Sequence, residues 1–326
     1  MKKHFVIALA LASVVAATLA QTPKQQGIKN PPPQISSKLI DSKRLLADVE
    51  TLSADSMEGR RAGTPGGERA RAYVARRFEE AGLRPFGPSY QHEVKLTPAR
   101  DGGERGANVI GYVEGKANPR RYLVVTAHYD HVGVRNGQIY NGADDNASGV
   151  AGLLALAEYF HRHRPDNSLI FAALDAEEGS GSGARTLVKT PPVDIRSIVM
   201  DVNLDMVSHS DRGELYAVGT YHYPFLKPYL ERVAARAPVK LLLGHDSPAL
   251  PKSEDWTTQS DHAAFHREKI PFVYFGVEDH KDYHKPTDDY ATITPEFFVR
   301  ATETILEAVK AFDADLAAIA KARAER

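Results

Sequence analysis

Strand-length runs that are apolar almost throughout constrain the fold of this chain more than any other feature. Examples are RYLVVTAHYD, SLIFAALDAEE and SIVMDVNLDMV, which begin at Arg121, Ser168 and Ser197. A strand without polar alternation is buried on both faces, as is typical of parallel sheets in α/β proteins. Helical patterns lie between these runs. We therefore predict an α/β sandwich, with a mostly parallel central sheet covered by helices on both faces.

The helices themselves are indicated by caps and apolar spacing. Thr64 and Pro65 open the stretch TPGGERARAYVARRFEEAGL, which has one apolar face and suits a capped helix. Similar patterns predict helices over residues 148–162 and 225–237, and one long amphipathic helix over 295–323. Further strands are expected in ANVIGYVEG, ELYAVGT and IPFVYFGV.

The first twenty residues have the pattern of a secretory signal peptide. MKKH is positively charged, Phe5 to Ala20 is apolar, and Thr18-Leu19-Ala20 is a small-residue cleavage site. The run is too short for a stable membrane anchor, although an uncleaved anchor is the alternative. We expect export, to the periplasm or the outside. Residues 21–36 predict a flexible, Pro- and Gln-rich lead-in, and residues 37–326 a single catalytic domain.

Composition excludes several classes of function. The formal net charge is −1, from 41 basic and 42 acidic residues, and the basic residues form no single run. A nucleic-acid or anionic-membrane surface is therefore not indicated. The chain has no cysteine, so thiolates cannot serve as metal ligands.

Polar residues stand where the apolar runs end. His128 and Asp130 end one predicted strand, Glu177 and Glu178 end the next, and Asp205 ends a third. Open α/β sheets bind ligands beyond the carboxyl ends of their strands. The sequence therefore predicts a functional site at this edge of the sheet.

Each of these residues also has a structural interpretation. His128 alone is typical of a buried histidine at the sheet rim, but the Asp130 carboxylate could accept a hydrogen bond from its other ring nitrogen. Such carboxylates orient metal-bound histidines. His131 is a competing ligand, although in an extended strand it would point to the opposite face from His128.

The acidic residues divide between two tasks. Glu177 and Glu178 could be a solvated strand end, but adjacent residues there point apart. One carboxylate could then bind metal while the other acts as a general base. Asp205 interrupts an apolar strand, and a buried carboxylate needs a partner or a metal.

The remaining candidates lie in loops. His280 and His284 in EDHKDYHKPTDDY could be ordinary loop histidines, and Asp288 and Asp289 could cap the following segment. The residues 260–262, Ser-Asp-His, suit a helix cap better than a catalytic triad.

The donor types indicate a metal. Two histidines with three carboxylates suit Zn²⁺, with Mn²⁺ or Co²⁺ as weaker candidates. Five ligands are too many for one tetrahedral zinc that keeps an open position. They suit two ions that share a carboxylate and a water, roughly 3.5–4 Å apart.

The ordered motifs TAHYDHVG, NGADDNASG, LDAEEGSGSGA, NLDMV and DYHKPTDD resemble those of the M28 zinc aminopeptidases, the secreted bacterial group. The likeness extends from about Leu45 to the end and includes GRRAGTPGGERARAYVARRFEEAGL. Each motif alone is weak, but five in order are specific. No protease-associated insert separates the front helix from His128.

The resemblance implies two zinc ions per chain that share the carboxylate of Asp145. It also implies a cis peptide bond between Asp145 and Asn146, and a supporting role for Asp144 in the turn. The other ligands that it implies are His128 and Asp205 on one ion, and Glu178 and His284 on the other.

The resemblance further implies cleavage of the N-terminal peptide bond of peptides with a free amine. Glu177 would be the general base for a water shared by the two ions, with Asp130 orienting His128. Some relatives stabilise the oxyanion with a tyrosine at the position of Thr257, so Tyr274 or Tyr283 could take that role here.

Three other functions are alternatives for a chain with these motifs. One is a carboxypeptidase or dipeptidase on the same metal frame. Another is a glutaminyl-cyclase-like acyltransferase, which uses a single zinc. The third is a binding module without catalysis, which typically loses ligands that this chain retains.

Overall fold

The computed structural model describes residues 35–325 of the chain. The predicted signal peptide and all but the last two residues of the predicted lead-in lie outside this range. From Ile35 onward the chain forms one compact unit. Among the described residues no helix is long and apolar enough to cross a bilayer.

An eight-stranded mixed sheet forms the centre of the fold. Its strands are β1 Gln91–Lys95, β2 Arg105–Val113, β3 Asn118–His128, β6 Asn167–Leu174, β7 Ile198–Leu204, β8 Glu214–Val218, β9 Lys240–Leu243 and β10 Phe272–Gly276; Gly133–Arg135 (β4) and Gln138–Tyr140 (β5) form a separate hairpin. The strand order is β1-β2-β6-β3-β7-β10-β8-β9. The pairs β6/β3, β3/β7, β7/β10 and β8/β9 are parallel, and the other three are antiparallel. The sheet is thus parallel at its centre, as predicted.

Helices cover both faces of this sheet. They are α1 Ser42–Leu52, α2 Pro65–Glu80, α3 Gly149–Arg162, α4 Ser182–Lys189, α5 Lys227–Ala234, α6 His262–Arg267, α7 Pro295–Ala314 and α8 Leu316–Ala324. Leu123 and Val125 of β3 lie in the larger core with α1, α2, α3 and α7, whereas Val124 lies in a second core with α4 and α6. This alternation along one strand confirms the predicted sandwich.

The helix predicted after Thr64 is confirmed, since the Thr64 hydroxyl accepts a hydrogen bond from the Gly67 N–H. The prediction of one helix over 295–323 is wrong. Asp315 leaves the helical region (φ −117°, ψ 21°) and separates α7 from α8. Just before the break, the Asp313 carboxylate and carbonyl accept hydrogen bonds from Asn167 at the start of β6. The end of α7 is thus tied to the sheet.

The central strands bring the predicted site residues to one edge. β3, β6 and β7 run parallel as neighbours and end at His128, Leu174 and Leu204. The residues that follow β6 and β7 include Glu177, Glu178 and Asp205. They therefore emerge beside His128, as the sequence predicts.

Candidate metal centre

The Asp145 carboxylate lies between two groups of nitrogen and oxygen donors. On one side, His128 Nε2 is 3.6 Å from Asp145 Oδ1 and 3.3 Å from Asp205 Oδ1. On the other, His284 Nε2 is 3.1 Å from Asp145 Oδ2 and 3.1 Å from Glu178 Oε2. The structure thus brings together all five residues predicted as ligands, and Asp145 presents one oxygen to each group.

These separations suit zinc. Three ligands at 2.0–2.2 Å from a tetrahedral zinc are roughly 3.3 Å from one another. In addition, Asp205 Oδ1 is buried and has no hydrogen-bond partner among residues 35–325. A buried carboxylate oxygen without a partner is costly, and a cation would remove that cost. Each donor group could therefore hold one ion.

The turn before α3 presents the Asp145 carboxylate. Residues Ala143–Ser148 form a short π-helical segment in which Asp145 is extended (φ −104°, ψ 98°). The peptide bond between Asp145 and Asn146 is cis, which confirms that prediction. The Asn146 side chain fixes the turn against the end of β7, because it donates to the Leu204 carbonyl and accepts from the Met206 N–H.

Asp144 supports this turn, as expected. Its Oδ1 accepts hydrogen bonds from the Ser208 N–H (2.7 Å) and the Ser208 hydroxyl (2.8 Å). Its Oδ2 lies 3.1 Å from His280 Nε2, so His280 contacts Asp144 rather than the two donor groups.

Asp288 supports the turn from the opposite side. Its carboxylate accepts hydrogen bonds from the N–H groups of Asp144 (3.0 Å) and Asp145 (3.1 Å). Asp289 accepts a hydrogen bond from the Asn141 side chain, and neither acid caps the helical turn that follows. The expected capping role of these two acids is therefore wrong.

Arg60 anchors the same loop, and the sequence reasoning missed it. Its side chain is fully buried, and Glu58, Gly59 and Arg60 all have positive φ. Burial lowers the pKa of Arg60 to about 10, against the opposing effect of Asp145 and other carboxylates, so the group stays charged at neutral pH. The Arg60 guanidinium donates hydrogen bonds to five carbonyls, those of Leu52, Tyr129, Asn141, Gly142 and Asp145. The sequence feature that could have indicated this residue is the GRR in GRRAGTPGG.

The orientation predicted for His131 is wrong. Because β3 ends at His128, the chain turns and places the His131 ring beside Glu178. His131 Nδ1 lies 2.5 Å from Glu178 Oε1 and 3.7 Å from Asp145 Oδ2. Burial raises the pKa of Glu178, but His131 and His284 outweigh it and hold that pKa well below the ordinary value.

Asp130 orients His128 differently from the prediction. His128 Nδ1 lies 3.2 Å from the Asp130 backbone carbonyl, whereas the Asp130 carboxylate is 3.8 Å away. That carboxylate instead accepts a hydrogen bond from the Glu177 N–H at 3.0 Å. Asp130 therefore connects His128 to the backbone of Glu177.

The surroundings of Glu177 perturb the pKa of its carboxyl. Enclosure by the protein raises the pKa of its carboxyl well above the ordinary value, and His128 acts in the opposite direction. The Glu177 side chain remains partly exposed.

The tyrosine candidates differ in availability. The Tyr274 hydroxyl is buried and donates to the Asp205 carbonyl at 3.3 Å. Tyr283 is partly exposed, and its ring stacks on His284 with 4.0 Å between ring centres. Burial, with Asp145 and Asp205, raises the pKa of Tyr283, so its hydroxyl keeps its proton. The Thr257 hydroxyl donates to Asp255.

The Ser-Asp-His segment forms no triad. The Ser260 hydroxyl accepts a hydrogen bond from Asn203, and His262 Nε2 contacts the Trp256 carbonyl. Asp261 precedes α6 but makes no side-chain cap, so the predicted cap is also wrong.

The model of peptidase family M28 matches residues 108–309, well over half of the chain. The chain belongs to peptidase family M28. This M28 member is thereby placed among the zinc metallopeptidases.

Fungal relatives of the M28 protein share part of it. A probable zinc metalloprotease of Pyrenophora tritici-repentis is 33% identical over 108 residues, which are 31% of this chain and 24% of the relative. Another from Pyrenophora teres f. teres is 31% identical over 160 residues, 44% of this chain and 31% of the relative. The matches thus span about a third or less of these fungal proteins.

Solved structures share the fold of the M28 protein. A zinc aminopeptidase from Bacillus subtilis has a TM-score of 0.67 at 17% identity, over 85% of this chain and 96% of that one. Glutaminyl cyclase from Porphyromonas gingivalis has a TM-score of 0.68 at 16% identity, over 84% and 99%. The same fold therefore serves both chemistries.

Proposed function

We propose that this M28 peptidase is a di-zinc aminopeptidase, which hydrolyses the N-terminal peptide bond of peptides with a free amine. One observation carries the two-ion assignment. The two oxygens of Asp145 face separate donor groups, one with His128 and Asp205 and one with Glu178 and His284. A single ion would use only one of these groups.

When bound, zinc supplies Lewis acidity, which polarises a carbonyl and lowers the pKa of water. The carboxylate of Glu177 accepts the proton from the attacking water and delivers it to the nitrogen of the leaving amine. The Glu177 N–H, held by Asp130, keeps this residue at a fixed place beside His128. The water oxygen joins the carbonyl carbon as the C–N bond breaks.

Tyr283 supplies a hydrogen-bond donor for the developing oxyanion. It is stacked on His284, and the charges of Asp145 and Asp205 act on its hydroxyl. Tyr274 is less suited, because its hydroxyl already donates to the Asp205 carbonyl.

Replacing Tyr283 with phenylalanine is expected to lower kcat on the order of 10²–10³-fold, the usual cost of one oxyanion donor. KM and zinc content should change little, because the ring and its stacking on His284 are kept. Steady-state kinetics with Tyr229→Phe, in helix α5, as the control would check this. A normal kcat in Tyr283→Phe would exclude the phenol from this role.

The requirement for a free amine is supported by Asp279, a carboxylate outside the ligand set. Burial raises the pKa of Asp279, and the charges of His284 and Asp205 act on its carboxyl, so it belongs to the surroundings of the centre. The Asp279 carboxylate would offer a substrate ammonium an opposite charge.

Hydrolysis of an aminoacyl amide should therefore fall on the order of a hundredfold or more when its amine is acetylated, since the polar groups that hold the amine lose their partner. The assay compares free and N-acetylated peptides, each with a free or an amidated carboxyl end. Equal cleavage of N-acetylated peptides that needs a free carboxylate would indicate a carboxypeptidase instead. Release of ammonia from N-terminal glutamine without peptide cleavage would indicate a cyclase.

A further inference from the structure

We propose that His131 is a positioning residue for the metal held by Glu178. Its imidazole contacts Oε1 of Glu178 and so turns Oε2 toward the ion that Asp145 and His284 also bind. The inference rests on the proposed ligand set, but it does not depend on which peptides are cleaved.

Burial leaves His131 and Glu178 as partners for each other. The His131 side chain is fully buried, and neither of its ring nitrogens makes a hydrogen bond of regular geometry among residues 35–325. Glu178 Oε1 makes none in that range either. The two atoms lie 2.5 Å apart. Because an unpartnered buried polar group is costly, this contact is what makes an imidazole acceptable here.

Distances favour a positioning residue over a metal ligand. The donors assigned to the two ions are 3.1–3.6 Å apart, and His131 Nδ1 lies 3.7 Å from Asp145 Oδ2, outside that range. His131, Asp145 and Glu178 nevertheless offer atoms within 4.8 Å of one another, so a direct ligand is the alternative that a cobalt spectrum distinguishes. Two ligands on one tetrahedral zinc are roughly 3.3 Å apart. The separation of 2.5 Å between His131 Nδ1 and Glu178 Oε1 is too short for that, and it lies nearer the 2.7–2.9 Å of an N–H contact to a carboxylate. His131 therefore acts through Glu178.

The loop that carries Asp145 shapes the space for this ring. Gly142 has a φ of +55°, and a Cβ there would lie 2.5 Å from Cδ2 of His131. The Gly142 carbonyl accepts a hydrogen bond from Arg60 at 2.9 Å. The ring is thus packed against the segment that presents the bridging carboxylate, and it contacts the neighbouring ligand. Its position couples Asp145 and Glu178.

Two variants of His131 distinguish the effect of its N–H donor from the effect of the space that its ring fills. His131→Leu fills the space without a donor, whereas His131→Asn keeps an N–H donor near the place of Nδ1. We expect His131→Leu to weaken zinc binding 10–100-fold, as for other groups that orient ligands. We expect His131→Asn to recover most of that loss. His92→Leu, on β1 and partly buried, is the control and should bind zinc as the unchanged protein does.

The readouts are zinc affinity by competition with a chelator and the visible absorption of the cobalt-loaded protein. At saturating cobalt, the bands of His131→Leu should match those of the unchanged protein, since no ligand is lost. Unchanged zinc affinity in His131→Leu would overturn the inference. A second result would also overturn it: cobalt bands of His131→Leu that differ from those of the unchanged protein, together with a zinc affinity of His131→Asn as low as that of His131→Leu. These two results together would identify His131 as a direct metal ligand.

Circular dichroism of the metal-free variants shows whether each one folds. If His131→Leu does not fold, His131→Asn carries the test: zinc affinity within a few-fold of the unchanged protein supports the inference, and a tenfold or larger loss in a folded protein contradicts it. The readout is metal binding. Failure of the peptide assay would therefore leave this result standing, and the reverse is equally true.

Discussion

Replacing Glu177 with glutamine is expected to leave the zinc content unchanged and to lower kcat on the order of 10²–10⁴-fold. Glutamine has nearly the same shape but cannot accept a proton from water. Glu177 lies outside both donor groups, so the substitution leaves the proposed metal ligands unchanged. It also keeps the hydrogen bond to Asp130, because that bond is donated by the Glu177 backbone N–H. The loss should therefore appear in kcat rather than in metal binding.

The control for this variant is Glu268→Gln, the same substitution at an exposed glutamate that follows α6 and has no role in the proposed site. Its kcat should stay within a few-fold of the unchanged enzyme. Zinc per chain and kcat are measured on the same preparations. A near-normal kcat for Glu177→Gln with full zinc would remove Glu177 from the role of general base.

Replacing Asp145 with asparagine is expected to reduce zinc from two ions per chain to at most one and to abolish most turnover. An amide offers one oxygen and one NH₂ group, so it cannot present an oxygen to both sides. In the present structure Oδ1 faces His128 and Oδ2 faces His284. Metal analysis after dialysis, together with kcat, would check this.

Asp144→Asn is the matched contrast, because the two acids are adjacent but do different work. The Asp144 carboxylate accepts two hydrogen bonds from Ser208 and contacts His280. Disturbing these buried contacts should cost about 1–3 kcal/mol of unfolding free energy while both ions remain. Retention of both ions by Asp145→Asn, with their loss from Asp144→Asn, would reverse the assignment of the two residues.

The parts of the site that lie at strand ends could be predicted from the sequence. Apolar runs identify β3, β6 and β7 as buried strands, and parallel neighbours end at one edge. His128, Glu178 and Asp205 therefore had to lie close together. The prediction of His284 and Asp145 as ligands depended instead on sequence motifs, since both residues lie in loops that have no periodic apolar pattern.

Arg60, Asp288 and His131 could not be placed in this way. Each acts on the loop of Asp145 or on Glu178 through contacts between distant parts of the chain. Arg60, for example, binds carbonyls 69–85 residues away. Such contacts depend on where turns direct a side chain. His131 shows the difficulty, because the strand ended three residues earlier than its predicted orientation required.

The break after α7 has a similar cause. The apolar pattern continues through Asp315, so periodicity alone predicts a single helix. The contacts of Asp313 with Asn167 fix the end of α7, and α8 begins after the non-helical Asp315.

Anomalous diffraction at the zinc edge from crystals of the zinc-loaded protein tests the two-ion centre most directly. Two peaks roughly 3.5–4 Å apart are expected, one on each side of the Asp145 carboxylate. One should lie about 2.0–2.2 Å from donors of His128 and Asp205, and the other equally close to donors of Glu178 and His284. A single peak at full occupancy, with either donor group empty at saturating zinc, would contradict the account.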